Sequence, residues 1–482
     1  MNTNKQVKIG ILVCGHKEYW PQFPGVKERI MTGAEAFRNI VSASGAQIFM
    51  SEMVDCVELS FAAGEMFRQN DIDLLFVYLH TYVASGRWIP GITGIKAPVV
   101  VVTLTENIDF DDPEIQIIDV LKKGSPCQLP ETVNALRRTD INVSDVIFGC
   151  IDDDDRAHAR INEWCDAAKA LREYKGAVIG YLGHVYDGMM DMNSDPTSFT
   201  RQFGIYIKML EMCELADFVE NASEKEIKEK LDDIKNVFDI TGASYDPTTK
   251  DVIDSDIEWA ARCAAGLDRL VETNSLSGLA YYYAGLNNLY ERIASNLIIG
   301  NTLLTKRGIN LAGEADLQTC IAMKTTCALG AGGSFAELTI ADFNKDLVFI
   351  GHDGPHDLRI GNARPQIRGL GVYHGKRGQG ISVEYSIRNG DISMVSLTTD
   401  KQGAFRFVVA EGSSVPGNVP KIGNTMTRGY FGKDVRKFIE DWSMEGPPHH
   451  MSLCVGHVGS RIQKIGKALG IDVKIVRSGN EL

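Results

Sequence analysis

Four positions in the second half of the chain carry glutamate or histidine, which are common metal ligands, beside apolar sequence. Glu314, Glu337 and His352 follow one another within a short stretch, each at the edge of an apolar run, and GPPHHMSL later adds His449 and His450. Carboxylates and imidazoles together suit a divalent cation such as Mn²⁺. Such a cation polarises the oxygen atoms that it binds, so we predict that the site serves sugar chemistry. We therefore predict a metal site that contains both glutamates, His352 and one histidine of the pair.

Each of these residues also has a structural explanation. Glu314 could cap a helix that begins near Asp316, and Glu337 could be an exposed strand residue. His352 and the histidine pair nevertheless stand beside apolar sequence, and nearby glycines and prolines restrict their loops. The spacing alone leaves open whether the four positions meet in space.

The elements that must position these residues follow an α/β pattern. The apolar run at 7–13 indicates a strand buried on both faces of a parallel sheet, and strands and helices alternate after it. A second such run at 176–184, again ended by Gly and His, indicates a second lobe. After about residue 335, short alternating strands and glycine-containing turns replace this pattern. The predicted fold class is α/β: two successive doubly wound parallel-sheet lobes, then a β-rich C-terminal domain that is an antiparallel sheet or small barrel.

The same pattern predicts domain boundaries and some local elements. Within the second lobe it predicts a helix over 195–213 and a strand over 217–220, and RNGD at 388–391 predicts a tight hairpin. The predicted domains are an N-terminal α/β domain at 1–175, a central α/β domain at 176–325 and the β-rich C-terminal domain at 326–482.

Composition excludes several classes of protein. The net charge is −13 and no stripe of Lys or Arg is evident, so we expect no nucleic-acid partner. The start of the chain lacks the pattern of a signal peptide, and no apolar run reaches bilayer length, so we expect no membrane association.

The ten cysteines form no CxxC motif and are predicted to be buried free thiols of a cytoplasmic protein. GAGGS at 330–334 does not fit a dinucleotide fingerprint and no phosphate-loop motif occurs, so we expect no nucleotide cofactor.

Several of these stretches resemble the L-arabinose isomerase and L-fucose isomerase superfamily of ketol isomerases. GEADLQT at 313–319, FAEL at 335–338, the histidine that ends the next strand and the HH pair carry the resemblance, which extends over essentially the whole chain. It implies that Glu314 and Glu337 are catalytic, metal-binding carboxylates and that His352 and His450 complete the ligand set. A ligand set of two Glu and two His resembles that of the arabinose branch, whereas the fucose branch uses Glu, Asp and His in a longer chain. The loop CGHKEYW departs from the Ser-Gln-His motif of the arabinose enzymes.

The resemblance also implies an activity and an assembly. The activity is that of an intramolecular oxidoreductase that moves a proton between C2 and C1 through an enediol(ate), with L-arabinose to L-ribulose, or a related aldose such as L-fucose, as the expected reaction. The implied cofactor is Mn²⁺, with Mg²⁺ or Co²⁺ as alternatives, and the implied assembly is a homo-oligomer, trimer to hexamer, with pockets shared between subunits. Candidate sugar contacts are His16, Tyr19, Trp88, Met189 and His449, although Trp88 is equally well explained as a packing residue. The alternative from another class is a non-catalytic sugar-binding or sensor protein with two α/β lobes.

Overall fold

The computed structural model describes residues 6–106, 111, 113–122, 126–282, 288–371 and 379–477. They form two compact units, each considered by itself. One unit consists of Asn4–Arg172 with Gln463–Gly470, and the other of Glu173–Ile462 with Ile471–Leu482.

The first unit is built on a five-stranded parallel sheet with strand order β2-β1-β3-β4-β5. Its central strands are almost wholly buried, as expected for a parallel sheet covered on both faces. Its elements are β1 (Lys8–Cys14), α1 (Val26–Ser42), β2 (Gln47–Met50), α2 (Val57–Gln69), β3 (Leu74–Leu79), α3 (Ile89–Ile92), β4 (Val99–Thr105), α4 (Ile117–Lys122), α5 (Gln128–Arg138), β5 (Val143–Cys150) and the start of α6 (Asp155–Tyr174).

The second unit begins with a four-stranded parallel sheet of order β11-β10-β6-β7. When strands are numbered in chain order within each sheet, the first sheet has the order 2-1-3-4-5 and the second, read from β7, the order 2-1-3-4. The predicted pair of parallel-sheet lobes is confirmed. The elements of this part are β6 (Val178–Gly183), α7 (Pro196–Phe203), β7 (Tyr206–Leu210), α8 (Met212–Glu220), α9 (Glu224–Val237), β8 (Asp239–Ile240), β9 (Thr249–Lys250), α10 (Asp254–Thr273), β10 (Gly278–Tyr282), α11 (Asn288–Ala294), α12 (Leu297–Thr305), β11 (Asn310–Ala312) and α13 (Leu317–Ala328).

The prediction of one helix over 195–213 and a strand over 217–220 was wrong. Gly204, with φ of +69°, ends α7, and β7 forms the edge of the sheet before α8 begins. Tyr206 and Met209 of this edge strand are exposed, so its apolar residues do not show the continuous burial of an inner strand.

The rest of the second unit is dominated by a closed antiparallel barrel. Six strands close in the order β16-β19-β12-β13-β18-β17, with β17 returning to β16, and β20 adds to β17 in parallel. The barrel alternative for the β-rich region is thus confirmed. A small sheet, in which β8 and β9 pair with β14, completes this part. The elements are β12 (Ser334–Asp342), β13 (Leu347–Gly351), β14 (Gln366–Leu370), β15 (Gly380–Glu384), β16 (Gly390–Thr399), β17 (Phe405–Ser414), β18 (Thr427–Tyr430), α14 (Val435–Met444), β19 (His450–Val455), the start of α15 (Gly459–Leu469) and β20 (Asp472–Val476).

The hairpin predicted at RNGD was also wrong. β15 pairs with β14 in the small sheet, whereas β16, which begins at Gly390, pairs with β17 and β19 in the barrel. The β16–β17 turn lies at 400–404 instead, where Asp400 Oδ1 accepts the N–H groups of Gln402 and Ala404. RNGD therefore marks a change of sheet.

All ten cysteines are free thiols, as predicted, but their expected burial was wrong for Cys127 and Cys213, which are exposed. Within the described ranges, no helix has both the length and the apolar character needed to cross a bilayer.

Candidate metal and sugar site

Glu314 follows the last strand of the second parallel sheet. After β11, the residues Gly313–Ala315 form one tight turn in which Glu314 has φ of +55° and Ala315 has φ of +59°, both left-handed. Asp316 then caps α13, since its Oδ1 accepts the N–H of Thr319 at 2.9 Å. The helix cap that the sequence allowed for Glu314 is therefore supplied by Asp316.

Three further candidates lie on adjacent strands of the barrel. Glu337 of β12 stands opposite His450 of β19 on one side and opposite Gly351 of β13 on the other. His352 comes directly after Gly351. Facing residues on antiparallel neighbours are about 5 Å apart, so the register brings these three side chains to one point of the barrel.

The turn after β11 and the barrel bring their side chains together. Glu314 Oε1 lies 3.8 Å from His352 Nε2, and Glu314 Oε2 lies 4.0 Å from His450 Nε2. Ligand atoms of Glu337, His352 and His450 lie within 4.8 Å of one another, as do those of Glu314, His449 and His450. The structure thus brings together all four predicted ligands, with His449 beside them.

The donor atoms fit a divalent cation. Glu314 Oε2 and His450 Nε2 are buried without a hydrogen-bond partner among the described residues. Buried polar atoms of this kind ordinarily require a partner. Carboxylate and imidazole donors at these separations are suitable for Mn²⁺, Co²⁺ or Mg²⁺.

Each of the three histidines has a carboxylate against its Nδ1 atom. The separations are 3.2 Å from His450 to Asp316, 2.8 Å from His352 to Asp353 and 2.7 Å from His449 to Asp191. The contacts of His449 and His450 are hydrogen bonds, and a carboxylate oxygen only accepts, so in each of these two rings, when neutral, Nδ1 carries the proton and Nε2 is left with its lone pair. The Nε2 atoms of all three rings lie within 4.0 Å of Glu314.

Burial sets the charge of the site. It raises the pKa of Glu314, an effect that His352 and His449 partly oppose. It lowers the pKa of His450 to about 4, which keeps this imidazole neutral near pH 7. Burial also lowers the pKa of His352, but the bond to Asp353 and the neighbouring glutamates outweigh it, and the net pKa is raised.

The ring of Phe335 forms an apolar wall beside two of the histidines. Its centroid lies 4.3 Å from that of His450 and 4.7 Å from that of His352, and the residue is fully buried. Gly313 permits this packing, because a Cβ atom there would lie 2.9 Å from the Phe335 ring. These contacts limit the positions that both imidazoles can take.

His449 lies on the more exposed side of the site. His449 is held by Asp191, which accepts from its backbone N–H at 3.0 Å and from Nδ1 at 2.7 Å. Asp191 belongs to the turn Met190–Met192 that Met189 precedes, and its carbonyl accepts from the Gln318 side chain at 3.0 Å. Asp191 was not among the residues predicted from the sequence, since 258 positions separate it from His449.

The other three candidate sugar contacts belong to the first unit. His16 follows β1, and its ring packs against Tyr19 at 4.6 Å between centroids. Trp88 is fully buried in the core of that unit, with no ring face open to a sugar. Its burial favours the packing role that the sequence left open.

Comparisons with known proteins find similar sequences of known function. The family model described as the L-arabinose isomerase central domain matches residues 190–332, a segment that includes Asp191, Glu314 and Asp316. The L-arabinose isomerase of Oceanobacillus iheyensis is 18% identical over 491 residues, which cover 97% of this chain and 100% of that relative. The L-arabinose isomerase of Nocardioides sp. is 19% identical over 83% of this chain and 80% of its own length. That of Klebsiella pneumoniae subsp. pneumoniae is 22% identical over 78% of this chain and 75% of its own. The family model and these long matches agree: the chain is similar to L-arabinose isomerases over most of its length, which supports membership of their superfamily and an isomerase activity.

Proposed function

We propose that the chain is a divalent-metal-dependent aldose–ketose isomerase that converts L-arabinose to L-ribulose. The observation that carries the proposal is the meeting of two carboxylates and two imidazoles, Glu314, Glu337, His352 and His450, at one point. The names of the matched relatives support the reaction and make L-arabinose the first substrate to test. L-Fucose is the related aldose to test next.

The reaction moves a proton between C2 and C1 of the sugar, and the C2–H bond is only weakly acidic. When bound, a cation held by the four ligands would supply Lewis acidity at the sugar oxygens, which makes that proton easier to remove. The mixture of carboxylate and imidazole ligands favours Mn²⁺, with Co²⁺ or Mg²⁺ as alternatives.

The protein's own groups would move the protons. We propose Glu314 and Glu337 as the acid–base pair, in which one glutamate takes the C2 proton while the other manages the hydroxyl proton. His449 is one-third exposed, with Nε2 4.0 Å from Glu314, so it is available to hydrogen-bond a sugar hydroxyl, with Met189 as a further contact.

The cellular location, the assembly and the domain boundaries of the enzyme are part of the same proposal. Ten free cysteines are typical of a reducing compartment, which supports a cytoplasmic location. We propose a homo-oligomer of three to six subunits, in which His16 and Tyr19 contribute to a sugar pocket of a neighbouring subunit. The proposed domains are residues 1–175, 176–325 and 326–482, and the proposed partner is a sugar rather than a nucleic acid or a membrane.

The test is a metal-dependent ketose assay on the full-length protein. Metal-stripped protein is incubated with L-arabinose, L-fucose and other aldoses, with and without Mn²⁺, Mg²⁺ or Co²⁺, and ketose is measured. We expect L-ribulose only when a cation is added. No ketose from any aldose under any condition would refute the reaction, and equal turnover without a cation would refute the metal dependence.

A matched pair of variants tests the assigned acid–base groups. Glu337→Gln should abolish turnover, because an amide neither accepts the proton nor binds the cation as well as a carboxylate does. Glu229→Gln makes the same change on the surface of α9, where the 62% exposed Glu229 side chain lies 3.8 Å from Lys225, and should leave turnover unchanged. Near-normal turnover of Glu337→Gln would remove this residue from the mechanism.

A further inference from the structure

Asp316 is a buried carboxylate with more contacts than a helix cap requires. Its side chain is 0% exposed, and Oδ1 alone completes the cap of α13 by accepting from Thr319 N at 2.9 Å. Oδ2 accepts from Thr319 Oγ1 at 2.7 Å and faces His450 Nδ1 at 3.2 Å. Burying an ionised group is costly unless it is hydrogen-bonded, so the second oxygen needs an explanation beyond capping.

The partner of this second oxygen is a residue of the barrel. His450 begins β19 opposite Glu337, and its ring is also 0% exposed. Its other nitrogen, Nε2, is buried without a hydrogen-bond partner among the described residues and lies 4.0 Å from Glu314 Oε2. One carboxylate therefore fixes both the start of α13 and the ring of His450.

We propose that Asp316 is the positioning residue that gives His450 the tautomer and the orientation needed to bind the cation. Because Oδ2 only accepts, it requires the proton of the neutral ring to be on Nδ1, which leaves the lone pair of Nε2 toward Glu314 and Glu337. Carboxylates behind a ligating imidazole act in this way at metal sites, and their loss typically weakens binding. The inference rests on the proposed metal site but not on the identity of the sugar.

Two substitutions separate positioning from structural support. Asn at 316 can keep the cap through its oxygen, but its amide nitrogen then faces His450 Nδ1 as a donor. The ring must accept there, so its proton moves to Nε2 and the lone pair for the cation is lost. Ser at 316 also caps well but is too short to dictate the tautomer. Asp316→Asn, although closer to Asp in shape, should therefore bind metal more weakly than Asp316→Ser.

The experiment measures Mn²⁺ affinity of the full-length, metal-stripped protein without any sugar. Free Mn²⁺ is followed by electron paramagnetic resonance during titration of each variant, and circular dichroism confirms folding. We expect Asp316→Asn to lose about 10–100-fold in affinity, the range seen for partners of metal ligands, and Asp316→Ser to lose less. Thr319→Val, which removes only the hydroxyl bond to Asp316, should bind Mn²⁺ like the unmodified protein.

A matched control tests whether an altered cap alone changes metal binding. Asp434 caps α14 through the N–H groups of Arg436 and Lys437 and is exposed. Asp434→Asn should leave Mn²⁺ affinity unchanged.

The results separate this inference from the proposed reaction. Equal affinities of Asp316→Asn and the unmodified protein, or weaker binding by Asp316→Ser than by Asp316→Asn, would overturn the positioning role while leaving the reaction intact. Failure of the unmodified protein to bind Mn²⁺ would overturn both the metal site and the role of Asp316. Mn²⁺ binding with the expected order of variants, but without ketose formation, would support the positioning role and count against the reaction.

Discussion

His449 and His450 are consecutive, and each has an aspartate on Nδ1, yet they belong to two different regions of the site. The buried region, which we call the floor, consists of Phe335, Glu337, His352, His450 and Asp316. The more open region, the rim, consists of His449, Asp191 and Met189. In the floor the imidazole of His450 and the carboxylate of Asp316 are both 0% exposed, whereas in the rim His449 and Asp191 are 33% and 39% exposed.

We infer from this difference in burial that the same pairing, a histidine with an aspartate, has a different function in each region. In the floor, Glu337 and His450 come from β strands, Asp316 caps α13, and Phe335 packs on the rings of His352 and His450, which limits the positions of these rings. The rim pairs a loop residue with His449 in contact with solvent. We therefore expect substitutions in the floor to change metal binding and substitutions in the rim to change sugar binding.

The largest expected effect is that of His450→Asn, in the floor, on Mn²⁺ affinity and turnover. The substitution removes a predicted ligand and leaves Glu314 and Glu337 with one imidazole fewer. Mn²⁺ affinity should fall by more than the roughly 10–100-fold typical of outer partners, and turnover should be lost. Titration with Mn²⁺ and a ketose assay measure both effects. Normal Mn²⁺ affinity of His450→Asn would refute the expectation that the floor binds the cation and the rim binds the sugar.

A smaller effect concerns the stability of the metal-free protein in acid. Burial holds the pKa of His450 at about 4, below the ordinary value of 6.5, so between these values the unfolded chain binds a proton that the folded chain does not. Stability should therefore fall as pH drops from 6.5 toward 4, by at most about 3 kcal/mol from this residue. Urea unfolding at several pH values should show a shallower dependence for His450→Asn.

The rim supplies the control for this pH dependence. His449→Asn should change the slope less than His450→Asn does, because His449 has only a minor effect on the pKa of His450. His356, whose pKa burial lowers to about 3, contributes to the slope in all of these proteins. An equal reduction of the slope in both variants would show that His450 is not its source.

The smallest expected effect is that of His449→Asn on kcat/KM. Loss of one hydrogen bond to a sugar hydroxyl should lower kcat/KM by about 10-fold, equivalent to about 1.4 kcal/mol, and Mn²⁺ affinity should not change. Steady-state kinetics and Mn²⁺ titration on the same preparation test this. A parallel fall in Mn²⁺ affinity would instead make His449 part of the ligand set.

The candidate metal ligands could be predicted from the sequence better than the residues that support them could. Glu314, Glu337, His352 and His450 stand beside apolar runs, and ionisable residues in such positions attract attention because burial requires a partner. Asp191 lies in a polar loop 258 positions from His449, and no local pattern connects the two. The roles of all these residues remain predictions, although the structure brings the four floor and turn residues together.

The errors in the fold have a similar origin. The apolar residues of β7 fall at intervals that also suit a helix, and only the sheet determines that Ile207 and Leu210 face inward while Tyr206 is exposed. RNGD has good turn chemistry, but the barrel pairs β16 with β17 over ten residues from Gly390 to Thr399. Long-range pairing overrode local preference in both cases.

The left-handed turn before α13 also bears on how such a protein could evolve. Glu314 and Ala315 both have positive φ, and for residues with a Cβ atom this costs on the order of 1–2 kcal/mol each. Glycine at 315 would relieve part of that strain and loosen the carboxylate beside it. Selection for heat resistance alone would therefore favour Ala315→Gly, and selection for turnover would restore the alanine.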